Sequence, residues 1–283
     1  MRAAGIALAV CLAGGLAACG SVSPQSDAQA RRERLVDLND RAGAAVGRGE
    51  LTRAVVLYRE ALRMAESVED FRSVGINTLN LSAVYQALGE TGPAQRALDR
   101  VLAAPERFGR SLVAEASGRK AYLALQARDA DMAAEWLARA ESECGAPDCR
   151  IQAALLNLRA QLALERGAAG ESRAMAARAL AASQASGNRE EEANALRVDG
   201  RAAAALGEHA QAVASLSQAL ALDKQLALPT KIALDLLALA EVELERGARD
   251  PARDYAQRAL DVSRAAGNRQ QQDAAMQLMG RAR

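Results

Sequence analysis

Along this chain a glycine recurs with an alanine five residues behind it, and with small or apolar residues four and seven positions further on. The element reads Gly49–Ala54–Tyr58–Ala61, Gly89–Ala94–Leu98–Val101, Gly207–Ala212–Leu216–Ala219 and Gly247–Ala252–Ala256–Ala259. Ser172 takes the alanine's place between Gly167 and Ala176, and Arg128 replaces the glycine ahead of Ala133, Leu137 and Ala140. The six marker positions, 54, 94, 133, 172, 212 and 252, are spaced by 40, 39, 39, 40 and 40 residues. Residues at i, i+4 and i+7 share one face of an α-helix, so each copy predicts a helix with a buried face. The glycine ahead of it fits the end of a preceding helix, where a left-handed residue closes the last turn. A small side chain five residues later lets the two helices approach closely. A second marker keeps the same period: Gly187-Asn188-Arg189 and Gly267-Asn268-Arg269 lie 80 residues apart.

Six helical hairpins follow from this spacing, with residues 269–283 as a final helix that caps the array. The prolines agree with it. Pro93 and Pro251 share a repeat position near the start of a second helix, Asp250-Pro251 reading as N-cap and first helical residue. Pro105, Pro147 and Pro229 fall between hairpins.

Composition sharpens the fold class. Alanine fills 69 of 283 positions, against four Tyr, two Phe and one Trp. Alanine and leucine favour helix, whereas strands favour β-branched and aromatic residues, so sandwiches, barrels and propellers are excluded. A net charge of +1 leaves no basic footprint for nucleic acid. His209 is the single histidine, which removes any site built on two. The sequence contains no Walker A loop, nucleophile elbow or H-E-x-x-H motif. Glu241, Glu243 and Glu245 alternate at period two, so on a helix they do not form a paired-carboxylate site. Glu190, Glu191 and Glu192 read as first-turn carboxylates that favour the helix dipole. Trp136 reads as packing within its own hairpin. No catalysis and no cofactor are expected.

The repeat resembles the tetratricopeptide repeat. The residues that carry the resemblance are Ala42, Ala54, Tyr58 and Ala61 in the first copy and Tyr85, Gly89 and Ala94 in the second. Gly200, Gly207, Ala212 and Ala219 carry it in the fifth. It covers about residues 35–268 and departs in period, since the standard unit is about 34 residues. HEAT and armadillo units come closer in length but do not explain the glycine–alanine signature. The resemblance implies an all-α, right-handed superhelical solenoid whose first helices line a concave groove. Transferred position by position, the groove residues are Asn39, Asn80, Arg119, Tyr122, Asn157, Gln161, Asn194, Arg197 and Arg201, with Asp40 and Gln86 beside them. Asparagine and arginine can hydrogen-bond an extended peptide, and Tyr122 adds rigid apolar area. The Lys/Asn clamp of the co-chaperone subfamily is not present.

The first 18 residues, Met-Arg followed by an apolar run, read as a signal peptide too short to prefer spanning a bilayer. Leu16-Ala17-Ala18-Cys19 resembles the lipobox of bacterial lipoproteins, which implies cleavage before Cys19 and diacylglycerol on its thiol. In that family Gly20, rather than aspartate, implies the outer membrane, facing the periplasm. Residues 19–30 read as a lipidated tether and 31–283 as the repeat domain. In that oxidising compartment Cys144 and Cys149 are expected to pair as a structural disulfide. Their spacing is not the C-x-x-C of a redox motif, and a structural zinc would need four ligands. Together these readings describe a lipid-anchored adaptor for a partner protein or peptide, with pilotin-like assembly or hydrolase recruitment as options. A peptide-responsive regulatory module is the alternative.

Overall fold

A computed structural model describes residues 24–145 and 149–283, with side chains from residue 28 onward. The expected signal segment 1–18 and Cys19 lie outside the described residues. Thirteen helices and no strand are found among those described. The first six are α1 (Pro24–Gly47), α2 (Leu51–Glu66), α3 (Phe71–Ala87), α4 (Thr91–Leu102), α5 (Pro105–Gln126) and α6 (Ala130–Cys144). Then come α7 (Gln152–Glu165), α8 (Ala169–Ser186), α9 (Arg189–Ala205), α10 (His209–Gln225), α11 (Pro229–Glu245), α12 (Arg249–Ala265) and α13 (Arg269–Arg281). Six hairpins and a terminal helix are therefore present. Because α1 already begins at Pro24, the segment expected as tether up to residue 30 is helical over its last residues.

Each hairpin turns as the glycine pattern requires. At the glycine of the fifth hairpin, φ is 76° at Gly207, and the next N–H, on Glu208, donates back to the Ala203 carbonyl at 2.9 Å. That bond satisfies a carbonyl the helix end would leave orphaned. Arg128 does the same work in the third hairpin at a φ of 58°, with Asp129 N donating to Ala124 O at 2.9 Å. Turns between hairpins use the same device: Gly187 and Gly267 are left-handed, and so are the non-glycine residues Glu69 and Ala227. Ala227 lies midway between those two glycines, which explains their double-period separation. The asparagines after them, Asn188 and Asn268, cap α9 and α13 by accepting from the Glu191 and Gln271 amides. The expected cap at Asp250 is not formed. Ala248 precedes α12, and Asp250 and Pro251 are its second and third residues, still inside the first turn where proline's missing N–H breaks no helical bond.

Packing follows the marker positions. Ala54, Ala94, Ala133, Ser172, Ala212 and Ala252 are all buried against the partner helix of their hairpin. Leu98 and Leu216, four residues on, are fully buried, and a leucine in such a place contributes about 2–5 kcal/mol relative to alanine. One tight crossing within a hairpin is at Gly200, where a Cβ would sit 2.6 Å from Leu216 Cγ and 3.1 Å from the Ala212 carbonyl oxygen. Trp136 packs within its own hairpin, as expected, between Lys120 of α5 and Arg139 of α6.

Successive odd-numbered helices from α3 to α13 touch one another, whereas no comparable contact joins two even-numbered helices among the described residues. One layer is therefore drawn together and the other splayed. The stack curves, with the odd-numbered helices on the inside.

Two outcomes test the turns of the third hairpin. Relieving the left-handed strain, Arg128→Gly is expected to raise stability by about 1 kcal/mol in urea unfolding. Cys144 and Cys149 face each other with Cα atoms 5.2 Å apart, within disulfide range. Protein from an oxidising compartment should show no free thiol at either position by mass spectrometry. Reduction should then cost about 2 kcal/mol, the entropy of so short a loop.

Candidate partner-binding groove

On the inner layer one position recurs from α5 to α13 and stays at least partly open to solvent. It is occupied by Tyr122 on α5, Gln161 on α7, Arg201 on α9, Glu241 on α11 and Arg281 on α13, spaced by 39 or 40 residues. Tyr122, Arg201, Glu241 and Arg281 are exposed and Gln161 is half-buried. Loss of water pushes the Tyr122 phenol above its ordinary value, against a hydrogen bond with Gln126 and the charge of Arg197. The Glu241 carboxyl is likewise raised, first by loss of water, while Arg201 and Arg281 on either side pull it down. The row thus alternates an aromatic, an amide and charges of both signs.

The other expected groove residues are largely engaged by the fold. Arg119 donates to the Leu79 carbonyl of α3 at 2.7 Å and to Glu115 at 2.6 Å, tying α5 to α3. Asn157 is 2% exposed. Its amide donates to the Glu191 backbone oxygen at 3.0 Å and side chain at 2.7 Å, tying α7 to α9. Asn194 donates to Glu191 at 3.1 Å and accepts from Arg197 and Lys231 at 2.8 and 3.0 Å. Arg197 reaches Asp223 on α10 and Asp235 on α11, both fully buried. Asn39 is half-buried and donates to the Leu35 carbonyl of its own helix at 2.8 Å. Asp40 is exposed, while Asn80 and Gln86 are half-buried. Of the nine transferred positions, Asn80, Tyr122, Gln161 and Arg201 therefore keep side-chain groups for a partner, and Arg119, Asn157, Asn194 and Arg197 brace one inner helix against the next.

Sequence reasoning missed both acidic partners of Arg197 and the role of Glu191. Asp235 did carry a signal, because a lone aspartate inside the apolar run Ile232–Ala240 is buried only when paired. Glu191 sits in the first turn of α9 as expected, but its carboxylate also joins α7 to α9. The alternating glutamates point three ways: Glu241 to the groove, Glu243 inward to Arg246 at 3.2 Å, and Glu245 toward His209 at 3.8 Å. No group of three or more metal-ligating side chains occurs among the described residues.

No protein-family model matches the chain, and no curated protein matches it. Solved structures do share its fold. A Rap protein solved in complex with Competence and Sporulation Factor is 16% identical, with a TM-score of 0.67 over 88% of this chain and 70% of that one. Cut9 in the APC/C Cut9–Hcn1 hetero-tetramer is 17% identical, with a TM-score of 0.65 over 90% of this chain and 44% of that one. A tetratricopeptide repeat protein from Parabacteroides merdae is 14% identical, with a TM-score of 0.50 over 86% of this chain and 99% of that one. At such identities the likeness speaks to architecture. The chain is an all-α solenoid of the tetratricopeptide type.

Proposed function

We propose that this protein is an interaction adaptor, anchored by lipid on Cys19 to the periplasmic side of a bacterial outer membrane, that holds a partner protein or peptide in its concave groove. The observation that carries the reading is the row Tyr122–Gln161–Arg201–Glu241, open to solvent on a layer where Arg119, Asn157, Asn194 and Arg197 are tied up between helices. A preformed row of this kind lowers the ordering cost of binding an extended segment. Backbone amides of such a segment can pair with Gln161 and Asn80, and Tyr122 supplies a rigid contact. The proposal assigns binding to the chain and no chemistry. Within it, assembly of a secretion or pilus machine and recruitment of an envelope hydrolase are the two settings that combine a lipobox with repeats of this type.

A second reading, a peptide-responsive regulatory module, draws support from the Rap protein that was solved with Competence and Sporulation Factor and shares this fold. The two readings differ in what leaves with the protein. An adaptor retains a protein partner, whereas a peptide-responsive module retains a short peptide and changes its curvature in small-angle scattering.

Cross-linked co-purification of the lipidated protein from its native envelope is expected to recover a protein partner. The double variant Tyr122→Ala, Arg201→Glu should lose that partner while remaining folded, at a cost of about 1–2 kcal/mol because Tyr122 is only 37% exposed. Undiminished capture by this variant would place the partner elsewhere than in the groove. The anchor is tested separately: Cys19→Ala should leave the membrane fraction, and a variant that stays bound refutes the lipid on that residue.

A further inference from the structure

Arg197 on α9 lies between two carboxylates. Its Nε donates to Asp235 Oδ1 of α11 at 2.6 Å, its Nη2 donates to Asp223 Oδ2 of α10, and its Nη1 donates to Asn194 Oδ1 at 2.8 Å. Both aspartate side chains are 0% exposed, and that of Arg197 is 12% exposed. One buried positive charge thus meets two groups that would each be negative in water. The second oxygens, Asp223 Oδ1 and Asp235 Oδ2, have no hydrogen-bond partner among the described residues. The two carboxyls are held by one guanidinium, and each shifts the other's hold on its proton. Two buried carboxyls around one guanidinium, each with an oxygen that lacks a donor, are costly, and a single proton between them removes both the missing donor and the excess charge.

We propose that Asp223 and Asp235 share one proton across the α9–α10–α11 joint, and that this proton makes the joint, with the groove side chains it positions, sensitive to pH. The inference is independent of what the groove binds. Charged groups act on the pair from two helices besides the aspartates themselves: Arg197 and Glu190 from α9, and Lys231 from α11. Lys231 is itself engaged by Glu190 at 2.7 Å and by Asn194 at 3.0 Å, so it does not reach in to neutralise a second carboxylate. Burial raises both aspartates, the charge of Asp223 raises Asp235 further, and Arg197 opposes; Asp235 is pushed up to about 7.

The sign follows from linkage. An unfolded aspartate releases its proton near pH 3.9, whereas the folded pair keeps one up to about 7. The native state therefore binds more protons across that window. The stabilising share of the pair is complete below the unfolded value, declines as pH rises toward the folded one, and is gone above it. Beyond that point the joint carries one uncompensated negative charge. Asn194 and Arg197, which brace α9 against α11, are the groove residues it touches.

Thermal unfolding read between about pH 6 and about pH 8.5 tests the idea. Wild-type Tm is expected to fall by roughly 3–5 °C more than that of Asp235→Asn. The asparagine amide supplies the donor that the shared proton would otherwise provide, so the variant loses this dependence. Parallel curves for the two proteins would overturn the proposal. A measurement on wild type alone covers a variant that fails to fold: infrared difference spectra should show the carbonyl band of a protonated, buried carboxyl at about pH 6, vanishing by about pH 9. If no such band is present at the lower pH, the shared proton does not exist.

Discussion

Two helices that cross at a residue too small to keep them apart are what the rest of this molecule depends on. At Ala94, Ala212 and their equivalents the second helix of a hairpin comes down onto the first, and the left-handed residue five positions earlier makes that return possible. The constraint is steric before it is hydrophobic. Gly200 shows its limit, since even one methyl group there would meet Leu216 and the Ala212 backbone. Once each hairpin is closed this tightly, its outer faces have a fixed shape, and identical shapes stack with a fixed rotation. Curvature, the inner layer and the groove all descend from that repeated contact.

Alanine serves this architecture at the price of side-chain reach. A chain with only seven aromatic residues cannot tie its hairpins together by interdigitating aromatics, as a globular core does. Polar bridges between inner helices take up the role: Arg119 to Leu79, Asn157 to Glu191, Arg197 to Asp235. Each spans 34 to 40 residues in sequence, one hairpin to the next. Buried charges of this kind add little net stability compared with a well-packed apolar contact, but they tolerate only one geometry. They fix how one hairpin sits on its neighbour.

How far the sequence carries the fold depends on which interactions are local. Hairpin number, helix order and the turn residues were legible because each rests on a few neighbouring positions: Gly207 with Ala212, Gly187 with Asn188. Even the degenerate copy at Arg128 kept its spacing. The cap expected at Asp250 was displaced to Ala248 because the turn starts α12 two residues earlier, at the position where Asp129 caps α6 in the third hairpin. The groove was legible as a face but not as a site. Transferring positions along the repeat finds the inner layer correctly, yet it cannot tell Arg201, which is exposed to solvent, from Arg197, which lies one turn away and is buried by two aspartates from other helices. That difference is set by residues 26 and 38 positions distant, beyond the reach of any local pattern.

The third hairpin, with a strained arginine in its turn and a cysteine pair where its exit meets α7, has a consequence for how the array comes apart. In a solenoid each unit touches only its neighbours, so stability is distributed as a chain of links rather than shared through one core. The link that combines an unfavourable backbone conformation with a short covalent clasp divides the molecule into blocks of unequal size, α1–α6 and α7–α13. Unfolding of such an array proceeds block by block rather than in a single step. The clasp between Cys144 and Cys149 then bears on the exit of the third hairpin, the place where one block hands over to the next.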